Sequence, residues 1–226
     1  MTSKRFENLK KQATDEILPL VDAVEKVKSF ATAKFDESFD ICFKLGLDPK
    51  KSDQNIKSSF SLPHGLGKTV KVAVFAVGDD ATAASKAGAD RVGFEDLAAD
   101  MKKGELDYDV VIATQESMPI VGRLGQTLGP KGLMPNVKLG TVTTNPAEAV
   151  KLAKAGQFKI KNDKTGLVHG SVGKASFSKE SLVENIQVLT QEVRRLKPSV
   201  AKGVYLKGIT LSLTMSPSVR VDVTKI

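Results

Sequence analysis

Two kinds of strand share this chain, and their distribution limits the folds open to it. Residues 70–77 (VKVAVFAV) are almost continuously apolar and β-prone, as are residues 108–113 (YDVVIA). Between them, residues 79–89 are Ala-rich and helical, and residues 94–103 are helical again. Apolar strands separated by helices spell a βαβ unit, a parallel sheet covered on both faces. The outer thirds behave differently. Residues 38–45 set Phe39, Ile41, Phe43 and Leu45 against Ser38, Asp40, Cys42 and Lys44. Ile209, Leu211 and Leu213 likewise oppose Thr210, Ser212 and Thr214. That is the period of strands with one buried and one polar face. After this alternation comes the turn Thr214-Met215-Ser216-Pro217-Ser218, sharpened because Pro217 fixes its own φ and keeps Ser216 out of the helical region. Lys207 and Arg220 flank it, so it serves either as a ligand contact or as an ordinary surface hairpin.

The boundaries between the two textures are marked by turn residues. The first is the Pro/Gly cluster of residues 63–68, and the second follows Gly156, where residues 158–161 (FKIK) resume alternation with charge outward. A chain of 226 residues accommodates two such domains, each with a core of its own. Before the first boundary, residues 2–34 read as two surface helices. One carries Phe6, Leu9, Lys10 and Ala13, and the other Leu18, Val21, Val24, Val27 and Phe30. Residues 56–62 form a second short strand. After the second boundary come a hairpin turn at Asn162-Asp163-Lys164-Thr165-Gly166, strand material to Phe177, and a helix from an N-cap at Ser178 to Leu196. The simplest topology folds residues 1–67 and 159–226 into one discontinuous α+β domain, with residues 68–158 as an inserted α/β domain.

Charge separates these domains further. The chain carries a net charge of +8, yet residues 1–67 hold 11 basic and 10 acidic side chains and residues 68–158 hold 11 of each. Residues 159–226 hold 12 and 5. A basic surface of this kind attracts polyphosphate by releasing condensed counterions, which brings nucleic acid forward as the partner. No apolar run approaches the roughly eighteen residues of a membrane span, and the start lacks a signal peptide's apolar centre. Cys42, the single cysteine, permits no internal disulfide and fits a reducing compartment, so the expected location is the cytoplasm. With only His64 and His169 beside it, Cys42 reads as a structural thiol on the polar face of its strand, or at a sheet edge, rather than a metal ligand or nucleophile.

The βαβ texture requires a test for an enzyme. Gly65-Leu66-Gly67-Lys68 lacks the spacing of a phosphate loop and precedes a strand, so it reads as a hinge. After Val77 the chain runs Gly78-Asp79-Asp80, two carboxylates where a pyrophosphate needs bare amides. Residues 118–140 hold five glycines besides Arg123, Lys131 and Lys138, and form either a phosphate cradle or a long irregular loop. Residues 146–155 close the section as a helix with Pro146 near its first position.

Seven strings resemble one family. They are Ala33-Lys34-Phe35-Asp36-Glu37, Ser52-Asp53-Gln54-Asn55, Ser61-Leu62-Pro63-His64-Gly65-Leu66-Gly67-Lys68, Leu128-Gly129-Pro130-Lys131-Gly132-Leu133-Met134-Pro135-Asn136, Asn162-Asp163-Lys164-Thr165-Gly166, Gly173-Lys174-Ala175-Ser176-Phe177 and Thr214-Met215. The chain resembles the L-one family of large-subunit ribosomal proteins, those of the mobile stalk, bacterial type. The resemblance implies a discontinuous split β-α-β RNA-binding domain interrupted by a Rossmann-like three-layer domain. It implies binding to 23S rRNA, help in releasing deacylated tRNA from the exit site, repression of the protein's own operon mRNA, and a monomer when free. It carries RNA contacts onto Lys34, Phe35, Ser38, Lys164, His169, Lys174, Thr214, Met215 and Ser216. Lysines would pair with phosphates, and short hydroxyls would reach the 2′-hydroxyls of a shallow minor groove. Two positions depart from the family: Ser216 stands where Gly is usual, and Ser38 where Thr is. The added Cβ of Ser216 is expected to keep binding but weaken it modestly.

The leading expectation is thus a non-catalytic ribosomal RNA-binding protein without cofactor. The alternatives are a nucleotide-using enzyme on the middle domain, which lacks any catalytic constellation, and a general basic RNA chaperone.

Overall fold

The computed structural model of the chain describes residues 4–13, 16–104 and 106–225. Thr2, the expected start of the helical N-terminus, lies outside them. Cα packing divides the chain into two units, Met1–Gly67 with Phe158–Ile226, and Lys68–Gln157. Before the first crossing come α1 (Lys4–Gln12), a two-residue β1 (Ile17–Leu18), α2 (Leu20–Ser29), β2 (Ser38–Leu45) and β3 (Lys57–Ser61). The second unit supplies β4 (Val72–Phe75), α3 (Asp79–Lys86), β5 (Arg91–Gly93), α4 (Glu95–Lys103), β6 (Val110–Ala113), α5 (Met118–Arg123), α6 (Gly125–Leu128) and α7 (Pro146–Lys154). β7 (Gln157–Lys161) begins at the second crossing, and β8 (Leu167–Lys174), α8 (Lys179–Arg195), β9 (Leu206–Leu213) and β10 (Val219–Val221) complete the first unit.

The first unit is built on a sheet in the order β1-β10-β9-β2-β8. β2 pairs antiparallel with both β8 and β9, so strands far apart in sequence lie side by side. Alternation in β2 and β9 buries Phe39, Ile41, Phe43, Ile209, Leu211 and Leu213 on one face. Against that face pack α2, through Leu20, Ala23, Val24 and Val27, and α8, through Leu182, Ile186, Leu189 and Val193. Each fully buried side chain of this size contributes about 1.5–3 kcal/mol, enough to hold otherwise polar helices on the sheet. Ser178 caps α8 by accepting from Ser181 N at 3.1 Å. The α2 stripe departs from the expected one. Leu18 belongs to β1 and Val21 is 43% exposed, because Pro19 starts the helix at Leu20 and sets its phase.

β8 breaks its own alternation. Ser38 pairs with Lys174 and Phe39 with Gly173, but Asp40 pairs with Ser171, leaving Val172 as an extra residue. Val172 and Gly173 are therefore both buried, and the bulge turns Lys174 back to the side of Ser38. Asn185, fully buried on α8, donates to Val172 O at 2.9 Å and to Gly65 O at 3.2 Å, and accepts from His64 N at 3.2 Å. Farther along β8, Gly170 is a close approach: a Cβ there would lie 2.2 Å from Cζ of Phe158. Phe158 belongs to a second, two-stranded ribbon of β3 and β7 whose apolar side joins the same core.

The second unit holds a parallel three-stranded sheet in the order β5-β4-β6. β4 and β6 are buried throughout. Val72, Val74 and Ile112 meet Ala84 of α3 and Val150 and Ala153 of α7 on one side. Ala73, Phe75 and Val111 meet Leu97 and Met101 of α4, Val121 of α5 and Leu128 of α6 on the other. The three residues of β5 are too few for a sequence pattern, and residues 118–140, expected as a phosphate cradle or a long irregular loop, begin instead with the short helices α5 and α6. At the carboxyl ends of β4 and β6, where an open α/β sheet binds nucleotides, the Ser117 hydroxyl donates to Phe75 O at 2.9 Å and Thr114 and Ser117 are buried.

Gly170→Ala should destabilise the protein by about 1–3 kcal/mol through overpacking. Urea denaturation should show part of that loss recovered when Phe158→Leu is added, since the two side chains share one space.

Candidate nucleic-acid interface

The helices of the first unit cover one face of the five-stranded sheet, and the strand period leaves the other to polar side chains. Paired positions form rows across it. Arg220, Thr210, Cys42 and His169 make one row, Ser212, Asp40 and Ser171 the next, and Ser38 and Lys174 a third. None of these residues is buried. Hydroxyls and small side chains make the middle of this face shallow, with Arg220 and His169 exposed at its sides. Cys42 is half-buried, and burial pushes its thiol pKa up, with Asp163 adding to the shift. A raised thiol pKa disfavours the reactive thiolate and leaves Cys42 a small apolar group.

At the Ser38 end three loops converge on one buried carboxylate. Glu37 is only 1% exposed. Its Oε1 accepts from Ala33 N at 3.2 Å and its Oε2 from Met215 N at 2.9 Å, while its own carbonyl accepts from Ala175 N at 2.8 Å. The neighbouring Asp36 accepts from both the amide, at 3.1 Å, and the hydroxyl, at 2.8 Å, of Ser176. Hydrogen bonds to a charged acceptor are stronger than neutral ones, so these loops are held rather than merely adjacent. Two apolar side chains project from the assembly, Phe35 at 55% and Met215 at 48% exposure. Lys34 is exposed beside Phe35 in the sequence. Lys174 rests its ammonium on Ser38 Oγ at 3.1 Å, and Ser38 N donates to Thr214 Oγ1 at 3.1 Å.

Seven of the nine candidates, Lys34, Phe35, Ser38, Lys174, Thr214, Met215 and Ser216, therefore gather at this end. His169 lies part-way along β8, its Nε2 3.7 Å from Asp163 Oδ2. Lys164 occupies the hairpin turn before β8, roughly 20–25 Å away at about 3.4 Å per strand residue. Lys207 is also remote from the Met215 turn, since it stands near the opposite end of β9. Ser216 is half-buried and turned inward: its hydroxyl accepts from Leu213 N at 2.9 Å and donates to Pro217 O at 3.0 Å. No non-glycine residue described has a positive φ, so this turn does not require glycine for its backbone.

Neither Glu37 nor Asn185 stands out in the sequence as a support. Glu37 sits inside a recognised string, and its position just before a strand resembles any solvated loop acid. Asn185 was detectable only as a polar residue within the apolar stripe of α8. Asp163 reads in the sequence as one residue of a turn, and the structure makes it the organiser. It accepts from Thr165 N at 2.8 Å, Thr165 Oγ1 at 2.7 Å and Leu167 N at 2.9 Å. The Thr165 hydroxyl chiefly, then the Leu167 amide, hold its carboxyl down to about 2.

Two measurements test these supports. Asn185→Ala should cost about 1–3 kcal/mol in chemical denaturation, because Val172 O is left buried without a donor. Carboxyl NMR should place the Asp163 midpoint at about 2, moving toward 3.8 in Thr165→Val. Because the native value is depressed, the turn's stabilisation is present above the unfolded value and disappears as pH falls through about 2.

The chain's relatives carry the ribosome in their names. A family model described as "Ribosomal protein L1p/L10e family" matches residues 27–217. The large ribosomal subunit protein uL1 of Laribacter hongkongensis is 55% identical over 221 residues, 97% of this chain and 95% of that protein. The uL1 protein of Actinobacillus succinogenes is 55% identical over 201 residues, 89% and 88% of the two chains. That of Coxiella burnetii is 50% identical over 226 residues, 100% of this chain and 97% of its own. The chain belongs to the ribosomal protein L1p/L10e family, a structural, non-enzymatic family of the large ribosomal subunit.

Proposed function

We propose that this protein binds 23S rRNA directly through the loop end and open face of its five-stranded sheet, as part of the mobile stalk of the large subunit. On this reading residues 1–67 and 159–226 form a discontinuous split β-α-β RNA-binding domain, and residues 68–158 a Rossmann-like insertion. The single observation that carries it is the convergence on Glu37, which gathers Phe35, Met215, Thr214 and Lys174 from three segments of the chain. The physics suits folded RNA. Lys34 and Lys174 pair with phosphates, while Ser38, Thr214, Ser212 and Thr210 offer hydroxyls to a shallow minor groove. Phe35 supplies an exposed aromatic face for an unstacked base, with Met215 as a flexible apolar contact beside it. Lys164 and His169 extend the contact along β8. Release of exit-site tRNA and repression of the protein's own mRNA follow if the same face recognises a similar fold in the messenger and the stalk moves with the tRNA. The free protein is a monomer in the cytoplasm, joining the ribosome through RNA. A general RNA chaperone would instead bind structured RNAs without preference.

Binding to a 23S rRNA stalk transcript should weaken with salt. About four to six neutralised phosphates give a log–log slope of roughly −3 to −5. Lys174→Ala and Lys34→Ala should each make the slope shallower by about 0.7–0.9. A slope near zero in the parent protein would refute the reading.

A further inference from the structure

One acidic side chain stands among the hydroxyls and cations of the open face. Asp40 lies within β2, paired with Ser212 of β9 on one side and Ser171 of β8 on the other. It is not needed to seat the nearest lysine, because Lys174 already rests on Ser38 Oγ at 3.1 Å. Among the described residues Asp40 enters no ion pair within 4.0 Å. Burial is the largest influence on its carboxyl and raises its pKa, opposed by the nearby Ser171 hydroxyl and, least, by the charge of Lys174.

The fold therefore keeps a carboxylate where its charge is disfavoured, on the surface that best fits a polyanion. If phosphate attraction were all that this face supplied, an anion at its centre would only weaken binding. A carboxylate accepts at about four lone-pair sites, and the neighbouring Ser171 hydroxyl lies against Gly173 O at 3.2 Å and Phe39 O at 3.3 Å. The strand period directs the carboxylate to the uncovered side of the sheet. RNA differs from a plain polyphosphate in presenting neutral donors there, the 2′-hydroxyls and the amino groups of its bases. A phosphate cannot satisfy this position, whereas such a donor can.

We infer that Asp40 is a recognition residue that accepts a hydrogen bond from a neutral RNA donor, a 2′-hydroxyl or a base amino group, in the middle of the open face. The inference rests on the RNA-binding reading above and adds selectivity to it: lysines at the loop end supply attraction, and Asp40 rejects RNA geometries that bring a phosphate over the centre of the sheet.

The test is filter binding of the full chain to the 23S rRNA stalk transcript, with Asp40→Asn and Asp40→Ser beside the parent. Asp40→Asn removes the charge at nearly constant shape, and Asp40→Ser is a second small polar variant. Both should keep or raise the melting temperature, since a disfavoured charge is gone. Binding should nevertheless weaken roughly tenfold to a hundredfold, the range for a hydrogen bond to a charged acceptor, with the salt slope unchanged. Transcripts with single 2′-deoxy or guanosine-to-inosine substitutions then separate the two donors. One such substitution should weaken the parent protein and leave Asp40→Asn indifferent. Equal or tighter binding by both variants overturns the inference while the RNA-binding reading stands. Absence of salt-dependent binding by the parent overturns both.

Discussion

A single extra residue in one strand orients the candidate interface. Val172 bulges out of the pairing between β2 and β8, so two successive residues turn into the core and Lys174 emerges beside Ser38. With regular alternation from Ser171, Lys174 would point into the core, where an ammonium group is costly. The bulge persists because Asn185 reaches from α8 to the Val172 carbonyl and satisfies it within the core. The same amide holds the backbone at Gly65 and His64, immediately before the chain leaves this unit. One fully buried side chain therefore serves both the aim of a surface lysine and the anchoring of the crossing segment.

Glu37 has the complementary task at the surface. Its carboxylate gathers amides from two loops and its carbonyl gathers a third, so Phe35 and Met215 are displayed from a framework in which the nearby donors are paired. Such rigidity suits a surface that meets folded RNA, since less conformational entropy is lost on binding. It also explains how two apolar side chains stay exposed: the backbone that carries them is committed to Glu37 and cannot collapse inward without leaving that carboxylate buried and unpaired.

The two sheets differ in what they leave open. In the second unit both faces of β4 and β6 are buried under helices, and the hydroxyls at the carboxyl ends of those strands are spent on Phe75 O. In the first, α2 and α8 cover one face only, and the opposite face keeps a polar lining from four strands. The proposed binding surface falls on the unit whose strands alternate, because alternation provides a large surface that is polar without being irregular.

Much of this was legible in the residues. Residues 38–45 read as β2 with its buried face, Ser178 read as the cap of α8, and the turn after Leu213 lies where Pro217 places it, because each depends on contacts between near neighbours. Short β5 carries no sequence pattern, and Val21 falls outside the buried stripe expected of it because Pro19 starts the helix at Leu20. What the sequence by itself determined was the periodicity, the caps, the turns and the concentration of positive charge in the last third. Tertiary structure alone decided that Lys34, Phe35, Lys174 and Met215 share one end of a sheet while Lys164 stands at the other. Strand order, register and a bulge are set by pairings across more than a hundred residues, and no local pattern encodes which strand will be the neighbour.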